Sequence, residues 1–248
     1  MRKCGRLVSS VLQQVAALVQ PGVTLIDLDM AAEKLSREAG AVPAFKGYQG
    51  FRHTLCLSVN EQVVHGIPSK RALKEGDIVG VDFGLQYEGF YGDSALTIAV
   101  GKVPENAARL MQVTKDSLYA AISQAKSGNT LKDLARAIEN VVRPHHYGIV
   151  REFVGHGIGT RLHEDPQVPN YEEGASNLKL RPGMTIAIEP MINEGTAAVK
   201  ILEDRWTAVT LDGLLSAHFE HTIAITDGEP EIFTEWENGG LGTLTNHA

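Results

Sequence analysis

Four carboxylates of this 248-residue sequence stand beside short apolar runs. Asp82 ends Ile78-Val79-Gly80-Val81, and Glu189 ends Ile186-Ala187-Ile188. Asp93 precedes the run at 96–100, and Glu220 precedes the run at 223–225. An ionised carboxylate at the end of a buried strand is destabilised by several kcal/mol unless it meets a cation, accepts hydrogen bonds or keeps its proton. One such acid is an ordinary surface or hydrogen-bonded group. Four at related positions would repel one another at a common centre unless cations lay between them. His156, in Gly155-His156-Gly157-Ile158-Gly159, adds an imidazole whose small neighbours leave room beside it. Four carboxylates and one imidazole suit two divalent ions that share carboxylate bridges. They do not resemble a closed structural zinc site.

The remaining histidines divide by context. His65-Gly66-Ile67 echoes His156-Gly157-Ile158, and His163 lies seven residues past His156 (163 − 156 = 7). Spacing leaves open whether either reaches the centre. His145 and His146 follow a helix and read as exposed, while His53 and His218 have no evident partner and read as structural. His221 would point away from Glu220 if that segment is a strand.

The elements that must position these groups occur twice. Gly22-Val23-Thr24-Leu25-Ile26-Asp27-Leu28 returns as Gly128-Asn129-Thr130-Leu131-Lys132-Asp133-Leu134, at an offset of 128 − 22 = 106. Residues 73–82, ending in Asp82, return as residues 180–189, ending in Glu189, at an offset of 180 − 73 = 107. Thr-x-x-Asp is a helix start in each copy, because the hydroxyl accepts a backbone N–H and the acid favours the helix N-terminus. The helices that follow run to about Ala39 and Val142, and another spans roughly residues 104–126. Apolar positions 8, 11, 12, 15 and 19 make an amphipathic opening helix. The expectation is two α/β halves, approximately 1–103 and 104–234, related by a pseudo-twofold axis, in one domain over 1–248. The site should lie between them. Residues 235–248, with Gly239, Gly240 and Gly242, read as a loose tail.

Composition narrows the function. A 43% hydrophobic chain can bury a substantial core, and 23 basic against 30 acidic residues give a net charge of -7. That balance argues against nucleic acid as main ligand. Two cysteines, Cys4 and Cys56, are too few for a disulfide framework and suit a reducing compartment. No segment approaches the roughly twenty apolar residues of a membrane span, and the N-terminus lacks a small-residue cleavage site. Cytoplasm is the expected location.

Val64-His65-Gly66-Ile67-Pro68, Asp82 with Asp93 eleven residues on (93 − 82 = 11), Gly155-His156-Gly157-Ile158-Gly159, Ile188-Glu189-Pro190-Met191 and Phe219-Glu220-His221-Thr222 together resemble the type I, bacterial-kind methionine aminopeptidases. The resemblance spans Met1 to about Thr234. It implies the α/β pita-bread fold of creatinase and the proline-specific aminopeptidases, with mainly antiparallel strands around a dinuclear metal site. It implies Asp82, Asp93, His156, Glu189 and Glu220 as ligands of two divalent ions, whether Mn, Co, Fe or Zn. Asp82 would chelate one ion, Asp93 and Glu220 would bridge both, and His156 with Glu189 would complete the other. His65 and His163 would flank the substrate peptide. The methionine pocket maps onto Tyr48, Phe51, Cys56, Leu162 and Trp206, with Phe45 at its rim; periodicity alone makes most of these ordinary core residues. Phe45 and Leu162 replace side chains such as Cys and Phe found in relatives, and relatives carry a short segment ahead of the residue aligned with Met1.

The implied reaction is hydrolytic removal of the initiator methionine from nascent polypeptides and peptides. A water shared by both ions and acidified to hydroxide would attack the carbonyl carbon, with Glu189 relaying the proton. The family further implies a monomer, transient ribosome contact and a small residue after methionine. A proline-specific peptidase, an inactive binding module of the same fold and a two-metal phosphoesterase are the rival readings.

Overall fold

The computed structural model describes residues 1–236. Four helices, α1 (Arg2–Ala16), α2 (Leu25–Glu38), α3 (Glu105–Gln124) and α4 (Leu131–Val142), accompany a nine-stranded sheet and two three-stranded sheets. The opening helix buries Val8, Val11, Leu12 and Val15 as its spacing requires. It stops at Ala16, and Val19 packs against the core from beyond the helix end. Both repeated helix starts form. Thr24 accepts the Asp27 N–H at the head of α2, and Thr130 with Asp133 completes a reciprocal capping box on α4.

Every strand pair in the large sheet is antiparallel. Its central order is Ile78–Tyr87, Phe90–Ala99, Glu220–Ala224, Thr185–Ile188 and Gly155–Gly157. The hairpin of the first two strands thus meets the third and fourth at the middle of the sheet. The flanks repeat as well. Thr24 bridges Ala72 as Thr130 bridges Lys179. The Gly22 N–H donates to the Leu73 carbonyl at 2.8 Å, and the Gly128 N–H to the Leu180 carbonyl at 3.0 Å. The strand Leu55–Val59 pairs with Ile78–Tyr87, as Gly155–Gly157 pairs with Thr185–Ile188.

That topology corrects one sequence echo. His156 stands opposite Ala187, and Ser58 stands opposite Gly80; 187 − 80 = 107, the repeat offset. The counterpart of His156 is therefore Ser58, not His65. His65 follows the short strand Gln62–Val64 at φ 60°, a left-handed turn with no equivalent in the second half.

Alternation assigns the two faces of the sheet. Val79, Val81, Phe83 and Leu85, with Leu96, Ile98, Ile186, Ile188 and Ile223, turn to the main core. The intervening residues, including Asp82, Asp93 and Glu220, turn the other way. His221 takes the core side, as expected, with Tyr119 Oη 3.2 Å from Nε2 and Thr234 Oγ1 3.0 Å from Nδ1. The tail is held further along than its composition suggested. Trp236 is buried against His221, with ring centroids 4.1 Å apart, and Ser9 donates to the Glu235 carbonyl at 2.6 Å. The rest of that expectation, residues 237–248, lies outside the described residues.

Candidate metal centre

The two middle strands are pinned through the acids' own backbone. The Asp93 N–H donates to Thr222 Oγ1 at 3.0 Å, and that hydroxyl donates to the Asp93 carbonyl at 2.8 Å. Ser94 Oγ donates to the Glu220 carbonyl at 2.8 Å. Glu220 faces Ala95 across the strand pair, which puts it two residues from Asp93 and on the same side. Asp82 also pairs with Ala95, from the other flank. Glu189 follows Thr185–Ile188 directly, and Asn170 donates to its carbonyl at 3.0 Å.

Donor atoms of Asp93, His156 and Glu220 lie within 4.8 Å of one another, as do those of Glu189, His218 and Glu220. His156 Nε2 is 3.6 Å from Glu189 Oε1. The other nitrogen of His156, Nδ1, is 2.9 Å from the Gly157 carbonyl. A carbonyl only accepts, so the ring proton sits on Nδ1 and the Nε2 lone pair faces the acids, the tautomer a metal requires.

Asp82 Oδ1, Asp93 Oδ1 and Glu220 Oε1 are buried without a hydrogen-bond partner. Burial first, then the Asp93 charge, pushes Asp82 well above the usual carboxylate range. Burial does the same to Glu189, aided by Asp82 and Asp93, and to Glu220, aided by Asp93, Glu189 and Asp82. Asp93 is pushed up to about 7 by burial, against a lowering hydrogen bond from the Ser94 backbone. His156 is pushed down to about 4 by burial and then by His163. Clustered acids that resist ionisation, orphaned oxygens and an imidazole lone pair make a donor set that fits divalent cations.

The acids floor a cleft of about 340 Å³, and every residue expected in the site lines it. Phe45, Phe51, Cys56 and Leu162 are buried in a small apolar cluster, with Tyr48 and Trp206 partly buried against it. This cluster is separate from the main core. Phe51 meets Trp206 edge to face, with centroids 5.0 Å apart. His163 lies against His156 at a centroid distance of 4.2 Å, the rings tilted by 57°. His65 lines the same cleft, packed edge-on to Phe153 at 5.2 Å, and desolvation pushes its pKa down to about 4, with His163 adding to the shift.

Two histidines read as structural stand beside carboxylates. His53 Nδ1 lies 3.2 Å from Asp29 Oδ2, while Asp29 Oδ1 accepts the Thr54 and Leu55 N–H groups at 2.8 and 2.9 Å. Asp29 thereby ties α2 to the segment that carries Phe51 and Cys56. His218 Nε2 lies 3.6 Å from Glu189 Oε2. Its parity with Glu220 was the available signal, since alternate residues of an extended segment share a face. Gln49, at φ 49°, also lines the cleft, and nothing in the sequence pattern marks it.

Comparison with known proteins agrees with this geometry. The model of metallopeptidase family M24 matches residues 1–227. Methionine aminopeptidase 1 of Bacillus subtilis is 47% identical over 234 residues, 94% of each chain. The crystal structure of a methionine aminopeptidase from Thermotoga maritima superposes with a TM-score of 0.92 at 46% identity, covering 94% of both chains. A prolidase from Pyrococcus horikoshii, 24% identical, gives a TM-score of 0.76 over 96% of this chain and 61% of its own. That last likeness is one of fold, the pita-bread arrangement, alone.

Proposed function

The chain belongs to metallopeptidase family M24, and from that premise we propose that it is a methionine aminopeptidase that hydrolytically removes the N-terminal methionine from new polypeptides and peptides. One observation carries the reading. Partnerless buried carboxylate oxygens and the His156 lone pair floor a cleft with apolar walls that two further imidazoles also line. Methionine's unbranched thioether suits walls built from Phe45, Tyr48, Phe51, Cys56, Leu162 and Trp206.

Asp82 would hold one divalent cation, Asp93 and Glu220 would share two, and His156 with Glu189 would complete the second. When bound, such cations acidify a water and stabilise charge on the carbonyl oxygen. The chain's own groups supply the rest. Glu189 takes the proton of the attacking water and returns it to the leaving amine. A Tyr48 hydroxyl donating to His163 Nδ1 places the ring proton on Nε2, so that His163 can donate to the substrate carbonyl. His65, kept neutral by desolvation, presents an imidazole to the same cleft. The apolar walls take the methionine side chain and exclude water from around the bond that breaks.

We read the chain as one catalytic domain of two halves, about 1–103 and 104–234, working as a monomer with transient ribosome contact. Its unpaired, buried cysteines suit the cytoplasm. Among the described residues, no helix is long and apolar enough to cross a membrane.

The proposal is tested by offering the Mn-loaded protein Met-Ala-Ser, its N-acetylated form and a Gly-Pro-Ser peptide. Release of methionine from the first alone is expected. Preference for Gly-Pro-Ser would make the protein a proline-specific peptidase on the same fold.

A further inference from the structure

His218 has no part in the mechanism above. Its side chain is 3% exposed and ends the strand Ser216–His218. The backbone at this point is fixed: the His218 N–H donates to Thr97 Oγ1 at 2.9 Å, and that hydroxyl donates to the His218 carbonyl at 2.9 Å. Nε2 is buried without a hydrogen-bond partner and faces Glu189 Oε2 across 3.6 Å. On the other side of the same carboxylate, His156 Nε2 faces Oε1 at 3.6 Å. Glu189 therefore lies between two imidazoles, one at each oxygen, while Asn170 holds its main chain.

The two imidazoles differ in what they can offer. The His156 proton is committed to the Gly157 carbonyl, so its Nε2 is an acceptor. Once cations ionise Glu189, its Oε2 becomes an anionic acceptor, and a proton on His218 Nε2 makes the contact a charge-assisted hydrogen bond. The 3.6 Å gap is at least about 0.7 Å longer than such a bond (3.6 − 2.9 = 0.7), and catalytic contacts are commonly loose before substrate and metal arrive. An orphaned buried ring nitrogen is destabilising, and the hydrogen bond removes that cost.

We propose that His218 is a positioning residue for Glu189: its Nε2–H holds Oε2, leaving Oε1 directed at the metal side and fixing the carboxylate's orientation while it takes and returns a proton. The inference rests on the role given to Glu189 above.

The test compares His218→Gln, whose amide nitrogen reaches the place of Nε2, with His218→Asn, whose shorter side chain does not. Kinetics on Met-Ala-Ser, Mn content per chain and melting temperature are measured for both and for the unmodified protein. Supporting outcomes on the order of those for lost ligand-orienting bonds are a 10–100-fold lower kcat in His218→Asn, with KM within about threefold and Mn content unchanged, and near-normal kcat in His218→Gln. Wild-type kcat in His218→Asn, or an equal loss in His218→Gln, would overturn the proposal. So would a fall in Mn content in either variant, which would make His218 a metal ligand alongside Glu189 and Glu220. If His218→Asn melts below the assay temperature, His218→Gln decides: normal kcat and Mn content support the role, and loss of either overturns it. Failure of the unmodified protein to release methionine would sink the functional reading itself, a distinct result.

Discussion

Tyr48 Oη lies 2.8 Å from Nδ1 of His163, so the wall of the apolar cleft and an imidazole above the acid cluster form one hydrogen-bonded unit. The same Tyr48 ring stands 5.2 Å from the His163 ring, and His163 stands 4.2 Å from His156. Contacts thus run from pocket wall to a proposed metal ligand through three consecutive side chains. A methionine side chain that presses on Tyr48 would adjust the imidazole proposed to meet its carbonyl.

Removing the hydroxyl with Tyr48→Phe leaves the wall in place and releases the ring. A net hydrogen bond contributes about 0.5–1.5 kcal/mol, so kcat/KM on Met-Ala-Ser should fall by about 3–10-fold with metal content unchanged. Steady-state kinetics beside metal analysis checks this. Normal kcat/KM would show that His163 needs no support from Tyr48.

His65 occupies a left-handed backbone position, which Asn tolerates better than most residues. His65→Asn should therefore fold normally and retain its metal. If the imidazole donates to the substrate as charge develops, kcat should drop on the order of a hundredfold. Unchanged turnover in a metal-replete variant would remove His65 from the mechanism.

Much of this site could be read from the sequence because repeat, alternation and chemistry coincide there. The offset that aligned Asp82 with Glu189 reflects a repeated bridge and turn, Thr24 to Ala72 and Thr130 to Lys179. Alternation then forced the acids onto one face and Val79, Val81 and Phe83 onto the other. Long-range pairing was not legible in this way. His65 copies the tripeptide around His156, yet the strand that fills the equivalent place is Leu55–Val59. Asp29 looks like a polar residue of an amphipathic helix, but it is buried and binds the backbone of a segment 25 residues on (54 − 29 = 25). Trp236 stands among tail residues without periodicity, and only the groove beside His221 and Phe219 explains its burial.

Gly84 sits opposite Asp93 in the central hairpin. A Cβ there would come within 2.9 Å of Phe45 Cε1 and 3.3 Å of Asp93 Oδ1, crowding the pocket wall and a proposed metal ligand. Gly84→Ala should cost about 1–3 kcal/mol in stability through overpacking and weaken Mn binding. Thermal unfolding and Mn titration read the two effects separately. A variant matching the wild type in both would show that wall and centre are not packed against each other.

The metal-free protein should have an unusual pH profile. Asp93, pushed up to about 7, and Asp82, Glu189 and Glu220, also raised, favour the folded state when protonated. Their contribution is full below the unfolded carboxylate range and is lost as pH rises through the folded values. His65 and His156, pushed down to about 4, and His218, down to about 3, act oppositely, losing stability as pH falls below 6.5. Above about pH 7.5, where unfolded histidines are largely neutral, the raised acids dominate, so the melting temperature without metal should fall as pH rises. Saturating Mn should abolish or reverse that slope, because the cations replace the protons. A flat profile without metal would mean that the acids are not crowded as the structure has them.

The central claim is that these four acids and His156 hold the cations that drive methionine release. The most direct measurement follows free methionine from Met-Ala-Ser as Mn is added to the metal-free protein and to its Asp93→Asn variant, with folding of both verified. Metal-dependent release by the wild type, and loss of at least several hundredfold in the variant, is the predicted result, on the order of what removing a principal catalytic charge does. Equal release by both proteins, or release that ignores added metal and chelator alike, would contradict it.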